Sequence, residues 1–167
     1  MKKRLRASAA CVLLSVSVSG CAANSSTPQA ELPIERACFV TDEVRVPVLL
    51  EVARKPEQRQ TGLMARTSLP ADQGMMFVYP STQQPDRGFW MYNTLLELDI
   101  AYLNETGTIS AIRRMTPCPP AQGFDCPTYP AGVPFTYAVE MNAGFFEKHG
   151  VEVGDKLMVQ KNQCNPE

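Results

Sequence analysis

The sequence predicts a mainly β protein, a compact antiparallel β-barrel or sandwich with two short helices. Three observations lead there. Short runs of β-branched and aromatic residues recur along the chain between turn residues. Only two brief stretches suit a helix. No strand alternates with a long helix in the way a parallel α/β sheet requires.

The first runs are residues 37–41 and 44–52, with Asp42 and Glu43 turning between them. Pro47 cannot donate to a ladder, so the second run belongs at a sheet edge or is bulged there. Pro56 and Glu57 open the first helix, where proline fits the first turn and an acid suits the positive dipole end. Gln58, Arg59, Thr61 and Gly62 weaken it, so it should end near Met64. Asp72, Gln73 and Gly74 deliver a strand at 75–79, and a polar loop is expected over 80–87. Strands at 88–93 and 98–104 follow. Asn104, Glu105, Thr106 and Gly107 signal a hairpin, with the return strand at 108–114. Residues 115–134 hold six prolines and read as one long irregular loop, which calls for a function or a staple. The chain closes with a strand at 135–141, a helical segment at 143–149 and a strand at 156–161. Asn142 is the expected N-cap of that helix and Gly150 its stop.

The N-terminus bears on compartment. Lys2, Lys3, Arg4 and Arg6 precede a short apolar core, and Val18, Ser19 and Gly20 precede Cys21. This resembles a bacterial lipoprotein signal, in which the cysteine is lipidated and becomes the new N-terminus. The expected organisation is a signal peptide at 1–20, a polar lipid-anchored tether at 21–35 and a single β-rich domain at 36–167. Ala22 after the cysteine is like the pattern of outer-membrane lipoproteins, which places the domain in the periplasm of the cell envelope. Of the 16 Lys and Arg, four lie in the signal, leaving 12 against 17 Asp and Glu, a net charge of −5. That balance, with no basic cluster, argues against nucleic-acid binding.

Cys11 falls in the signal and Cys21 takes the lipid. Cys38, Cys118, Cys126 and Cys164 remain, an even number in an oxidising compartment. Cys118 and Cys126 share one loop, and Cys38 and Cys164 would tie the first strand to the end of the last. No C-x-x-C pair occurs and His149 is the only histidine, so disulfides are favoured over a zinc site.

The stretch 59–103 concentrates the unusual chemistry. It holds the only tryptophan, four of the eight methionines, and Asn93 and Asp99 among apolar residues. A buried carboxylate needs a partner, and Arg59, Arg66 and Arg87 are nearest in sequence. Trp90, Asn93, Asp99, Arg59, Arg66 and Glu140 form the candidate ligand-binding set. Catalytic motifs such as a nucleophile elbow, a zinc-protease helix or a phosphate loop do not occur. The sequence names no cofactor and no metal ligand set.

The series Arg59, Gly62-Leu63-Met64, Arg66, Leu69-Pro70, Gly74-Met75-Met76-Phe77, Phe89-Trp90-Met91, Asn93-Thr94 and Leu98-Asp99-Ile100 resembles the domain of unknown function 192 family. Tyr137 to Glu140, Ala143-Gly144 and Gly154-Asp155 fit its C-terminal half. The resemblance implies an exported protein with a small β-barrel-like fold and brings no activity or catalytic residue. Tyr92 stands where the family often has Lys, Tyr102 where it often has Phe, and the cysteine-bearing loop is an addition.

The reading that follows is a lipid-anchored envelope protein acting as a non-catalytic binding or interaction module, with a small-molecule or protein partner unspecified. Two others stay open. One is an envelope-polymer hydrolase or transferase using Asp99 and Glu140. The other is a periplasmic Cu(I)-handling protein using its methionines.

Overall fold

The computed structural model describes residues 27–159 and Cys164. The signal segment, Cys21, the first part of the tether and the last expected strand residues, 160 and 161, lie outside them. The elements run β1 (Ile34–Val40), β2 (Arg45–Ala53), α1 (Pro56–Thr61), β3 (Gln73–Gln83), β4 (Gly88–Trp90), β5 (Leu98–Leu103) and β6 (Ile109–Met115). A 3-10 segment (Pro120–Asp125) follows, then β7 (Thr128–Pro130), β8 (Phe135–Asn142), α2 (Phe145–Lys148) and β9 (Lys156–Met158).

Seven strands form one sheet in the order β6-β5-β8-β3-β2-β1-β9, and β4 pairs with β7 in a separate ribbon. All pairs are antiparallel except β2 with β3. The sheet curls until its edges approach. Leu157 N–H donates to Gly107 O at 2.9 Å, and Thr108 bridges Lys156. The protein is therefore mainly β, a curled half-barrel with short helices, as the sequence predicts.

Both faces of the central strands are apolar. Every residue of β5 is buried, and alternation sends Ala101 and Leu103 to one side, Ile100 and Tyr102 to the other. The inner core joins Phe39, Leu50, Met76, Leu103 and Val139 to Phe145 and Phe146 of α2. The outer core joins Met75, Phe77, Ile100, Tyr102 and Ala138 to residues of the covering segments, among them Leu63, Met91 and Cys118. Topology explains the cover. Because β2 and β3 are parallel, residues 54–72 must travel back along the sheet, and they do so as α1 and the turns after it. The β4–β7 ribbon and the cysteine-bearing segment complete the cover.

Several boundaries differ from expectation. Residues 88–93 are not one strand of the main sheet: the ladder stops at Trp90 and belongs to the ribbon. Asn93 takes a left-handed φ of 54°, so it does not continue the face of Phe89 and Met91. β3 runs on to Gln83 into the expected loop. Residues 115–134 contain a 3-10 segment and β7. α1 stops at Gly62, whose φ is 50°, and Gln58 Oε1 accepts the N–H groups of Arg54 and Lys55 at 3.0 and 2.9 Å. α2 is only four residues, and its N-cap is Gly144 at φ 82°. Asn142 instead donates to Leu69 O and Pro70 O at 3.0 and 3.1 Å. Pro47 sits inside the β1–β2 ladder, but β3 pairs with β2 only from Leu49 onward. On that side Pro47 faces no strand, and no hydrogen bond is lost.

Cys38 pairs with Cys164 and Cys118 with Cys126, with Cα–Cα distances of 5.4 and 5.7 Å. The chain-entropy argument assigns the short loop about 2.5 kcal/mol and the long one about 5 kcal/mol, before native strain subtracts. Non-reducing peptide mapping should return these two pairs, and Cys118→Ala with Cys126→Ala should lower stability by up to about 2.5 kcal/mol. A peptide linking Cys38 to Cys118 would contradict the pairing.

Candidate functional site

Of the residues the sequence singles out, Arg59, Trp90 and Glu140 line one cavity of about 240 Å³; Arg66, Asn93 and Asp99 do not. The cavity lies on the outer face, between the sheet and its cover. Phe77 and Tyr79 of β3 and Glu140 of β8 form the sheet side. Residues 59–64 form one rim, and Phe89, Trp90 and Thr94 the other.

Strand register places Glu140. It sits opposite Met75 on β3 and Ile100 on β5, both members of the outer core. Its side chain is only 5% exposed. Among the described residues no hydrogen bond or ion pair reaches its carboxyl, and burial alone pushes its pKa up, to about 8. No fully occluded side-chain oxygen or nitrogen among them lacks a partner, so the Glu140 oxygens keep contact with the cavity. At neutral pH the group is mostly a protonated acid.

Arg59 does not neutralise it. Its guanidinium lies over the Tyr79 ring, 4.9 Å from the centroid, and Nη1 donates to Arg54 O and to Val78 O, the latter at 3.1 Å. The Tyr79 hydroxyl is raised from its ordinary pKa by burial, with Arg59 opposing and Glu140 adding. Burial likewise raises Tyr102, whose hydroxyl donates to Tyr129 O at 2.6 Å. Trp90 stacks on Tyr92 at 4.8 Å, and its Nε1–H donates to Cys126 O at 3.0 Å. The indole is thereby fixed as a half-exposed wall at the mouth.

Asp99 is held elsewhere, and its partner is neither Arg59 nor Arg66. Register sets it opposite Arg114 on β6. Arg114 Nε donates to Oδ1 at 2.5 Å and Nη2 to Oδ2 at 3.4 Å, while Gly144 N–H donates to Oδ2 at 2.7 Å. Asp99 also pairs with Met141 of the inner core, whereas Glu140 faces outward. The two carboxyls project from opposite faces and cannot act on one substrate atom. Arg66 makes a two-point contact with Glu51, Nη2 lying 2.8 Å from Oε2. That bond, above the opposing cost of burial, raises the Arg66 pKa. Asn93 is buried, and its carbonyl accepts Ala65 N–H at 2.7 Å.

Sequence reasoning missed Tyr79 and Thr94. Alternation along 75–79, which puts Met75, Phe77 and Tyr79 on one face, could have found Tyr79. No comparable signal marks Thr94. The methionines divide between the two cores, Met76 and Met141 inside and Met75, Met91 and Met115 outside. That distribution suits gap-filling.

A curled half-barrel with a covered outer face and, among the described residues, one unpaired buried acid beneath that cover is thus the class of molecule. The chain belongs to the domain of unknown function 192 family (DUF192), described as an uncharacterized ACR, whose profile matches residues 38–159. It is similar to a crystal structure from Sinorhizobium meliloti described as a candidate transcription regulator. The two share 30% identity over 78% of this chain and 97% of that one, with a TM-score of 0.69. A protein of unknown function from Novosphingobium aromaticivorans is similar at 27% identity, covering 86% of this chain and 98% of that one, with a TM-score of 0.66. No curated protein matches significantly.

Two outcomes test these assignments. Asp99→Asn should lower the urea midpoint, read by Trp90 fluorescence, because the amide keeps an acceptor for Gly144 but loses the charge facing Arg114. An unchanged midpoint would remove Asp99 from the set of fold-supporting residues. Glu140 sets a pH dependence of the opposite sense to an ordinary paired carboxylate. Between pH 4.5 and 8 the folded protein holds a proton that the unfolded chain has released. The Glu140 contribution to stability is therefore fullest below about pH 4.5 and is lost as pH rises through 8. Relative to wild type, Glu140→Gln should gain on the order of 5 kcal/mol over that window. A stability difference independent of pH would show that the carboxyl ionises freely.

Proposed function

We infer that this protein is a small-ligand-binding module, lipid-anchored through Cys21 in the cell envelope and facing the periplasm, on an outer membrane. The observation that carries the binding reading is the Glu140 carboxyl: buried, unpartnered among the described residues, and open only to an aromatic-walled cavity. Burial without compensation costs several kcal/mol, and a group so arranged in a cavity is a candidate site by physical criteria, which supports the reading. The lipoprotein signal ahead of the domain supports the anchoring.

The hydrolase reading loses its acid pair, since Asp99 faces away and Glu140 is the one carboxyl in the cavity wall among the described residues. Paired-carboxylate glycoside hydrolysis needs two. The copper reading gains nothing from methionines shared between two cores. The regulator description belongs to the Sinorhizobium protein. A chain of formal net charge −1 offers no electrostatic reason to bind nucleic acid.

Glu140→Leu tests the binding reading, because it keeps the wall apolar and removes the acid. It should raise stability at pH 8 and abolish the thermal shift that a low-molecular-mass envelope extract gives the wild type. Saturation at a hundredfold excess over Kd corresponds to about 2.7 kcal/mol. An extract that shifts both proteins equally, or neither, would count against the cavity as a binding site. Fatty-acid labelling tests the anchor: wild type should carry label and Cys21→Ala should carry none.

A further inference from the structure

The cavity wall also specifies the charge of its occupant. Resting on the ligand-pocket reading, we propose that the occupant presents an organic ammonium group. The ammonium seats against Glu140 between the aromatic walls, and its arrival releases the Glu140 proton to solvent.

The Glu140 oxygens face the cavity, and no donor among the described residues is aimed at them. Three nearby donors point away from them: Trp90 Nε1–H to Cys126 O, Tyr102 hydroxyl to Tyr129 O, Arg59 Nη1 to two main-chain carbonyls. A ligand must therefore bring its own donors, and an ammonium brings three. Phe77, Tyr79, Phe89 and Trp90 supply π-faces and ring edges around the same space. Desolvated aromatic surroundings favour a cation. An anionic ligand would find the floor occupied by an acid that must stay protonated beside it. The exchange balances: the carboxylic acid loses H⁺ to bulk water, and the resulting carboxylate pairs with the ammonium. No bond to the ligand forms or breaks.

The pH dependence isolates Glu140. From β3 the facing titratable group is Tyr79, from β5 it is Tyr102, and both phenols are raised and stay protonated near neutrality. From α1 the facing charged group is Arg59. Phe89 and Trp90 on β4 do not titrate. Of these cavity groups among the described residues, Glu140, near 8, is the one that changes state between pH 6 and 9.

The experiment uses the full chain and three cyclohexyl probes that differ in charge, cyclohexylammonium, cyclohexanol and cyclohexanecarboxylate, titrated against Trp90 fluorescence. Cyclohexylammonium should bind at least about tenfold more tightly than the alcohol at pH 8. Its affinity should rise about tenfold per pH unit between pH 6 and 7.5, with close to one proton released per ligand at pH 6.5 by calorimetry in two buffers. Glu140→Gln should keep the fold and lose both the pH dependence and the preference. If the alcohol or the carboxylate binds as tightly as the ammonium, the charge assignment is wrong while the pocket stands. If no probe binds although the envelope extract still shifts the wild type, the ammonium assignment again falls alone. If probes and extract both fail, the pocket reading falls with it.

Discussion

A sheet that is apolar on both faces cannot stop at the sheet. β5 is buried along its whole length, and β3 and β8 carry large side chains to both sides, so the outer face must be covered by chain outside that sheet. One cross-strand row shows how this face is shaped: Ala53, Phe77, Ala138, Tyr102 and Ala111 lie side by side across five strands. Large and small alternate, leaving slots between the rings. Phe89 of the ribbon fills one, meeting Phe77 edge-on at 4.7 Å and Tyr102 at 5.9 Å. Tyr102 and Tyr79 in turn meet Phe135 at 5.0 and 5.4 Å. Edge-to-face contacts of this kind fix ring positions beyond what area burial alone would do. The cavity opens where this cover gives way to α1 and its following turns, directly above Glu140.

The rims are held by main-chain contacts, which explains how an irregular cover keeps a defined shape. Ala65 and Asn93 both adopt left-handed φ, 60° and 54°, and the N–H of one donates to the carbonyl of the other at 2.7 Å. Neither is glycine, so each conformation costs energy that the surroundings must offset. The clasp joins the rim from α1 to the rim from β4. Cys118 N–H to Thr94 O at 2.9 Å and Met91 N–H to Pro127 O at 3.1 Å then tie the ribbon rim to the disulfide segment. The Cys118–Cys126 bridge therefore braces the wall that carries Trp90. In a cavity of this size a shift of one rim would change what fits.

The strand-rich plan was legible in the sequence because alternation and turn residues are local signals. The cysteine pairs were legible for the same reason, since spacing and strand ends constrain them. The ribbon was not, because 88–90 and 128–130 are each three residues long, far too short for periodicity to register. The Asp99 partner was missed through register. Extending the Leu103–Ile109 pair without a break would set Asp99 opposite Arg113, but a bulge between Tyr102 and Leu103 moves the pairing to Arg114. Proximity in sequence pointed to Arg59 and Arg66, whose actual partners are main-chain carbonyls and Glu51. Glu140 could be named as a candidate, but its isolation could not, because isolation is a property of everything that packs around it.

That isolation separates the buried acids. Glu51, Asp99 and Glu140 are all at least 95% buried among the described residues, and all sit on strands of the same sheet. Glu51 is closed by Arg66 and by the Leu32 N–H at 2.8 Å. Asp99 is closed by Arg114 and the Gly144 N–H. Each therefore ties a distant segment to the sheet, and each is accounted for by the fold. Glu140 has Met75 and Ile100 as cross-strand neighbours, with no cation set against it. A leucine there would satisfy the same packing without the cost of burying a carboxyl. Arg59 stands at the same cavity, yet its guanidinium is turned to carbonyls and to the Tyr79 ring. The one acid the fold does not need is the one acid the cavity contains, and that coincidence directs the search for function to Glu140 rather than to Asp99.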